Sequence, residues 1–140
     1  MATYVLDTSA ILCVLFEEEG VDHVVGILDA ARKTRDTFSP VLLPFIALME
    51  MEYRLRRRIG AGEAERVGVL VENWPVQIVE SSPEWRHAAA RLKSTTPLSV
   101  ADAWIASLAI LENCELVHKD PEYDLVADMR ANRLPYRPKN

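Results

Sequence analysis

The 140-residue chain predicts an α/β fold with a parallel sheet covered by helices on both faces. Three observations predict it. Short apolar runs of strand length alternate with longer stretches whose apolar residues recur at helical spacing. Punctuation by Gly20, by Gly60 and Gly62, and by the turn Ser81-Ser82-Pro83 falls between these segments. No internal repeat, low-complexity tract or linker interrupts the pattern, so residues 1–140 read as one domain, large enough to bury about 70% of its unfolded surface.

In order, ATYVL at 2–6 reads as a buried strand, followed by a helix to about Glu18. After Gly20, the residues Val21, Val24, Val25 and Leu28 repeat at helical spacing and end in the polar run ARKTRD. A brief extended piece near 37–41 leads to a long helix over roughly 43–58, broken by Gly60 and Gly62. EAERVGVLVEN predicts another helix, and PVQIVE at 75–80 a strand bounded by Pro75 and the turn Ser81-Ser82-Pro83. A helix from Glu84 to about Lys93, the STTP loop and a strong helix over 99–113 follow. ELVHK is a short strand, DPEYD a turn into a helix, and a short edge strand is expected near 134–136.

Composition narrows the chemistry. Hydrophobic residues make up 49% and charged residues 26%, as in ordinary globular chains. The longest apolar runs fall short of the roughly 20 residues that span a bilayer, and no signal-peptide pattern is visible, so a cytoplasmic protein without a membrane partner is expected. Cys13 and Cys114 sit far apart in apolar surroundings and read as buried, reduced thiols. His23, His87 and His118 have no zinc-ligand spacing. Any bound metal must therefore use oxygen ligands. A net charge of −5 argues against a broad nucleic-acid surface but leaves room for a local one at RLRRR, 54–58, or at Arg130, Arg133, Arg137 and Lys139.

The informative acids are Asp7, Glu50, Asp102 and Asp120. Three have structural readings of their own. Asp7 can cap the helix that follows it. Asp102, three residues after Ser99, completes a capping box. Asp120, before Pro121, has the form of a helix start. Glu50 is harder to explain away, because a helical wheel puts it on the apolar arc between Leu43 and Ile46, where an unpaired carboxylate is expensive. Glu52 falls on the same arc, and periodicity does not choose between them. Jointly the acids say more: Asp7 and Asp120 both follow strand-like runs, and open α/β sheets bind ligands beyond the carboxyl ends of their strands. Clustered carboxylates repel one another, and hard Mg²⁺ or Mn²⁺ would remove that conflict.

At these residues the chain resembles PIN domains, and among them the VapC-type toxins of toxin–antitoxin pairs. The likeness rests on YVLDTSAIL, on E-x-x-Y-R-L-R-R over Glu50–Arg57, on PLSVADAWIASLA at 97–109 and on LVHKDPEYD at 116–124, in that order over essentially the whole chain. The resemblance implies a three-layer α/β/α fold with a central parallel sheet of about five strands. It selects Glu50 over Glu52 and makes Asp7, Glu50, Asp102 and Asp120 the catalytic, metal-binding acids, with Asp124 a fifth candidate, direct or through water. Thr8 or Ser9 would orient Asp7, and Ser99 the helix bearing Asp102. Where the family commonly has Thr or Ser, this chain has His118, which could tune the site, contact a phosphate or simply fill space.

The activity so implied is endoribonuclease cleavage with one or two Mg²⁺ ions, Mn²⁺ substituting, in which the ion lowers the pKa of a water and withdraws charge from the phosphate. Arg54, Arg56 and Arg57 would meet RNA phosphates or an antitoxin, and a homodimer is expected. Other classes fit less well. An aspartyl-phosphate phosphatase needs a second acid where Ser9 stands, and a phosphoacceptor receiver domain needs an acidic pair that VLDTS lacks. A PIN-like binding module usually loses a site acid, whereas all four are present here. A PIN nuclease of RNA maturation, working without an antitoxin, is the other enzymatic reading.

Overall fold

The computed structural model describes residues 3–34 and 39–135. Five strands form one parallel sheet: β1 (Tyr4–Leu6), β2 (Val41–Pro44), β3 (Gln77–Val79), β4 (Glu115–His118) and β5 (Arg130–Arg133), in the order β3-β2-β1-β4-β5. Six helices flank it: α1 (Thr8–Leu15), α2 (Val21–Arg32), α3 (Phe45–Ile59), α4 (Ala61–Glu72), α5 (Pro83–Thr95) and α6 (Val100–Leu111). A 3₁₀ turn, Pro121–Leu125, follows β4.

The topology makes one particular place on the sheet. From β1 the chain steps outward through β2 to β3, then returns past β1 to add β4 and β5 on the other side. Crossovers between parallel strands are right-handed, so these opposite directions of travel lay the earlier and later helices on opposite faces. The order reverses between β1 and β4, and a crevice opens there beyond their carboxyl ends. The register Tyr4↔Glu115, Val5↔Leu116, Leu6↔Val117 brings both strands to that edge together. Val5, Leu6, Leu43, Leu116 and Val117 are fully buried between the helical layers, which fixes the sheet's depth.

Two elements differ from the sequence expectation. The long helix begins at Phe45 rather than near 43, because Val41–Pro44 is strand β2, an interior strand between β1 and β3. Leu43 precedes Pro44 and is thereby held out of helical geometry, while Pro44, at φ −65 and ψ 140, is the extended residue from which α3 starts. The extended piece expected near 37–41 thus lies further on, with its first two residues outside the described set. The edge strand is Arg130–Arg133, not 134–136. Pro135 has no N–H to offer a ladder, and Leu134 closes this one by donating from its N–H to the His118 carbonyl at 2.8 Å. Residue 136, together with Arg137 and Lys139, lies outside the described residues. The turn at DPEYD is present but closes as a single short 3₁₀ helix.

Gly60 ends α3 and begins α4 with φ +88, a backbone state that other residues adopt only at a cost. Around Trp85, Trp104 and Phe45 pack edge to face at 4.9–5.5 Å, which docks α5 and α6 against the start of α3. The Trp85 indole N–H donates to the Trp104 carbonyl at 2.8 Å and to Ser107 Oγ at 3.0 Å, so its burial leaves no orphaned donor. Both cysteines are buried free thiols. No single helix among the described residues is long and apolar enough to cross a membrane.

Candidate metal centre

Four segments deliver acids to the crevice. Asp7 follows β1 and caps α1, accepting from Ser9 N at 3.0 Å and from the Ser9 hydroxyl through a short contact. Its own N–H donates to the Val117 carbonyl at 3.0 Å, which joins the end of β1 to β4. The Ser9 hydroxyl also accepts from Lys119 N at 2.9 Å. One residue thus orients Asp7 and locks the first helix to the segment that carries Asp120.

Glu50 comes from α3. Its side chain is 12% exposed, accepts from the Thr8 hydroxyl at 2.8 Å, and lies 3.9 Å from the Arg54 guanidinium. Glu52, at 52% exposure, is bound to Arg56 on the outer face of the helix. The wheel's ambiguity is thereby resolved in favour of Glu50. Of the two hydroxyl residues expected at Asp7, Ser9 serves it and Thr8 serves Glu50.

Asp102 sits in the first turn of α6, which Ser99 caps by accepting from Asp102 N at 3.1 Å. Its carboxylate meets the Tyr123 hydroxyl, at 3.0 Å, in place of the backbone N–H that a full capping box would supply. Asp120 caps the 3₁₀ turn, accepting from Glu122 N at 2.9 Å. Single ligand oxygens of Asp102, Asp120 and Glu122 lie within 4.8 Å of one another. Together these acids line a groove of about 350 Å³ whose walls also include Tyr53 and Arg54. A larger cavity of about 430 Å³ beside α2 has Asp22 as its one acidic wall residue and gathers no cluster of acids.

The electrostatics match the crowding. Burial, followed by the charges of Asp7 and Asp120, pushes the Asp102 carboxyl up to about 7. Tyr123 is 1% exposed, and its hydroxyl donates to Asp7 Oδ1 at 2.6 Å while lying 3.0 Å from Asp102 Oδ1. A phenol has one hydrogen, so both contacts are hydrogen bonds at once only when Asp102 keeps its proton and donates it to the phenol oxygen. Burial also drives the Tyr123 phenol far above its ordinary value, which keeps that hydrogen in place.

Not every expected residue joins the groove. Asp124 is not part of its lining and its carboxylate is ion-paired with Arg133 at 3.4 Å. Glu122, two residues earlier, stands with Asp102 and Asp120 instead, because the cap on Asp120 tightens the turn around it. Arg54 borders the groove, and Arg57 lies over the Tyr53 ring at 5.0 Å. Arg56 is held by Glu52 and Glu65 at 3.0 and 3.3 Å. His118 is fully buried, with Nδ1 accepting from Asp120 N at 3.1 Å and its ring against Tyr123 at 5.0 Å. It therefore supports the backbone at Asp120. That acceptor role places its proton on Nε2, which has no partner among the described residues, and burial lowers its pKa and keeps it neutral.

Glu122 and Tyr123 carry no periodicity that would single them out in the sequence. The available signal was their position inside DPEYD, where a turn capped by its first acid brings the next residues back over the strand ends. The donor set is all oxygen and strongly acidic, which fits a hard divalent cation and no thiolate-seeking one.

A family model described as PIN domain matches residues 4–129. No curated protein matches the chain in sequence. Solved structures do match in fold. A chain of VapBC2 from Rickettsia felis, bound to a promoter DNA fragment, superposes with a TM-score of 0.74 at 16% identity, covering 95% of this chain and 99% of its own. DNA-bound VapBC from Salmonella typhimurium gives 0.73 at 16%, with coverage of 95% and 98%. VapC20 from Mycobacterium tuberculosis, described as a Sarcin-Ricin loop cleaving toxin, gives 0.69 at 14%, with coverage of 91% and 97%.

Proposed function

Because the chain belongs to the PIN domain family, we propose that residues 1–140 are one VapC-like toxin domain, an endoribonuclease that works with Mg²⁺ or Mn²⁺. The observation that carries this reading is the convergence of Asp7, Glu50, Asp102, Asp120 and Glu122 on one groove at the strand-order reversal. Asp102, Asp120 and Glu122 would hold the ion, with Asp7 and Glu50 beside them. When bound, such a cation withdraws charge from a phosphodiester and makes a water acidic enough to attack it near neutral pH.

The chain's own groups supply the rest. Glu50, fixed by Thr8, or Asp120, fixed by the turn it caps, would accept a proton from the attacking water. Arg54 brings a cation to the groove wall where a phosphate would lie. Arg57, through Tyr53, extends that positive side along α3. Arg56 is committed to its two glutamates and is the least suited of the three to RNA.

Toxin–antitoxin complexes among the fold neighbours support a cognate antitoxin as partner. A groove of about 260 Å³ between α3 and α4, with Leu48, Met49 and Met51 on its walls beside Glu52, Tyr53 and Glu72, would offer a partly apolar seat for one. A homodimer and a cytoplasmic location complete the reading.

The test is cleavage of a structured RNA panel by the partner-free protein with Mg²⁺, Mn²⁺ or EDTA, beside Asp7→Asn and Asp102→Asn. Cleavage that needs the ion and falls at least 100-fold in both variants is the expected result. A folded wild type that binds no Mn²⁺ and cuts nothing would sink the nuclease reading and favour a binding module.

A further inference from the structure

We propose that Tyr123 is a positioning residue of the metal centre: its hydroxyl spans Asp7 and Asp102 and holds both carboxylates in place before any cation arrives. The inference rests on the metal-dependent reading above and goes beyond it, since the acids themselves do not explain what holds the Asp7 and Asp102 side chains, from distant segments, in one arrangement. The Tyr123 hydroxyl lies 2.6 Å from Asp7 Oδ1 and 3.0 Å from Asp102 Oδ1 and bridges them.

The holds on the two acids are unequal. Asp7 Oδ2 already accepts two donors from Ser9, the backbone N–H and the hydroxyl, so Tyr123 adds a third bond at Oδ1. Asp102 is held from within its own helix start by Ser99, at the backbone N–H and again at the carboxylate, and from outside that helix by the Tyr123 hydroxyl at 3.0 Å. The phenol is placed by the same turn that presents Asp120: Tyr123 N donates to the Asp120 carbonyl at 3.3 Å, and the ring packs on His118. One five-residue segment therefore sets three of the acids relative to one another. Losing the hydroxyl should free Asp102 most, Asp7 less and Asp120 least.

Tyr123→Phe removes the hydroxyl and keeps the ring against His118. Mn²⁺ binding to EDTA-stripped protein, followed by electron paramagnetic resonance without RNA, should weaken at least tenfold, in the range found for groups that orient metal ligands. The bound-ion spectrum should broaden as the ligand set becomes heterogeneous, and kcat should fall with KM for RNA unchanged. A purely structural tyrosine would lower Tm in EDTA and leave Mn²⁺ affinity alone. If the wild type binds Mn²⁺ and Tyr123→Phe binds it within twofold, the inference is overturned while the metal centre stands. If the wild type binds none, both fall. The unaltered chain gives a second readout should the variant not fold. With 3-fluorotyrosine incorporated and the other three tyrosines substituted in turn for assignment, the Tyr123 fluorine resonance should shift on saturation with Mg²⁺, and an unmoved resonance overturns the proposal.

Discussion

Asp102 lies at the first turn of α6 with little solvent around it and the charges of Asp7 and Asp120 nearby, and its carboxyl is pushed up to about 7. In the unfolded chain the same group titrates near 4. Between about pH 4 and pH 7 the folded protein keeps a proton that the unfolded chain has released. Stability from this group is therefore complete below about pH 4 and is lost as pH rises to about 7, by up to about 4 kcal/mol. In EDTA the wild-type Tm should fall across that window relative to Asp102→Asn, which has nothing to titrate there, and saturating Mg²⁺ at neutral pH should restore it. A difference between the two proteins that is flat with pH would show that Asp102 is not strained by its neighbours. The acids themselves were legible as residues: Asp7 and Asp120 end strand-like runs, and Glu50 shares an apolar arc with Glu52, from which the family resemblance, not periodicity, selects it. Tyr123 was not, because its role depends on a hydroxyl meeting two side chains from distant segments, at 2.6 and 3.0 Å, and no local pattern encodes that.

At the scale of elements, two helix starts of the same design serve different ends. Ser82 caps α5 by accepting from Trp85 N at 3.2 Å, and Ser99 caps α6 by accepting from Asp102 N at 3.1 Å. Removing either hydroxyl should cost about 1 kcal/mol and lower Tm by about 4 °C. Only the second cap bears on a metal ligand. Ser99→Ala should therefore weaken Mn²⁺ binding as well, whereas Ser82→Ala should leave it untouched. Equal Mn²⁺ affinities in the two variants would mean that the cap contributes stability alone. Helices were the legible elements, since caps and spacing mark them from within. Strands β2 and β5 were displaced for opposite reasons. Val41–Pro44 is a continuous apolar run that merges with the helix after it, and only Pro44 marks the join. Arg130–Arg133 is an exposed edge strand whose charged residues guard it against further pairing and also hide it from any hydrophobic pattern.

Over the whole molecule, a net charge of −5 must be reconciled with a polyanionic substrate. Several of the basic side chains described here are already answered by acids: Arg56 by Glu52 and Glu65, Arg66 by Glu63, Lys119 by Glu18, and Arg133 by Asp124. Around the groove the balance is different. Arg54 faces Glu50 at only 3.9 Å, and Arg57 stacks on Tyr53, so both retain hydrogen-bonding capacity beside a site whose own charge a dication would offset. RNA affinity should then be ion-dependent and fall with salt, as phosphate contacts release counterions. Binding of a slowly cleaved phosphorothioate RNA with Mg²⁺, measured over a range of salt, separates the arginines. Arg54→Ala should lessen the slope of log K against log salt by about 0.7, one single-strand phosphate contact. Arg56→Ala should leave the slope unchanged, because its guanidinium is spent within the protein. If Arg56 rather than Arg54 carries the slope, the RNA runs along the outer face of α3 and α4 instead of through the carboxylate groove, and the charges there would have to be read as the interface.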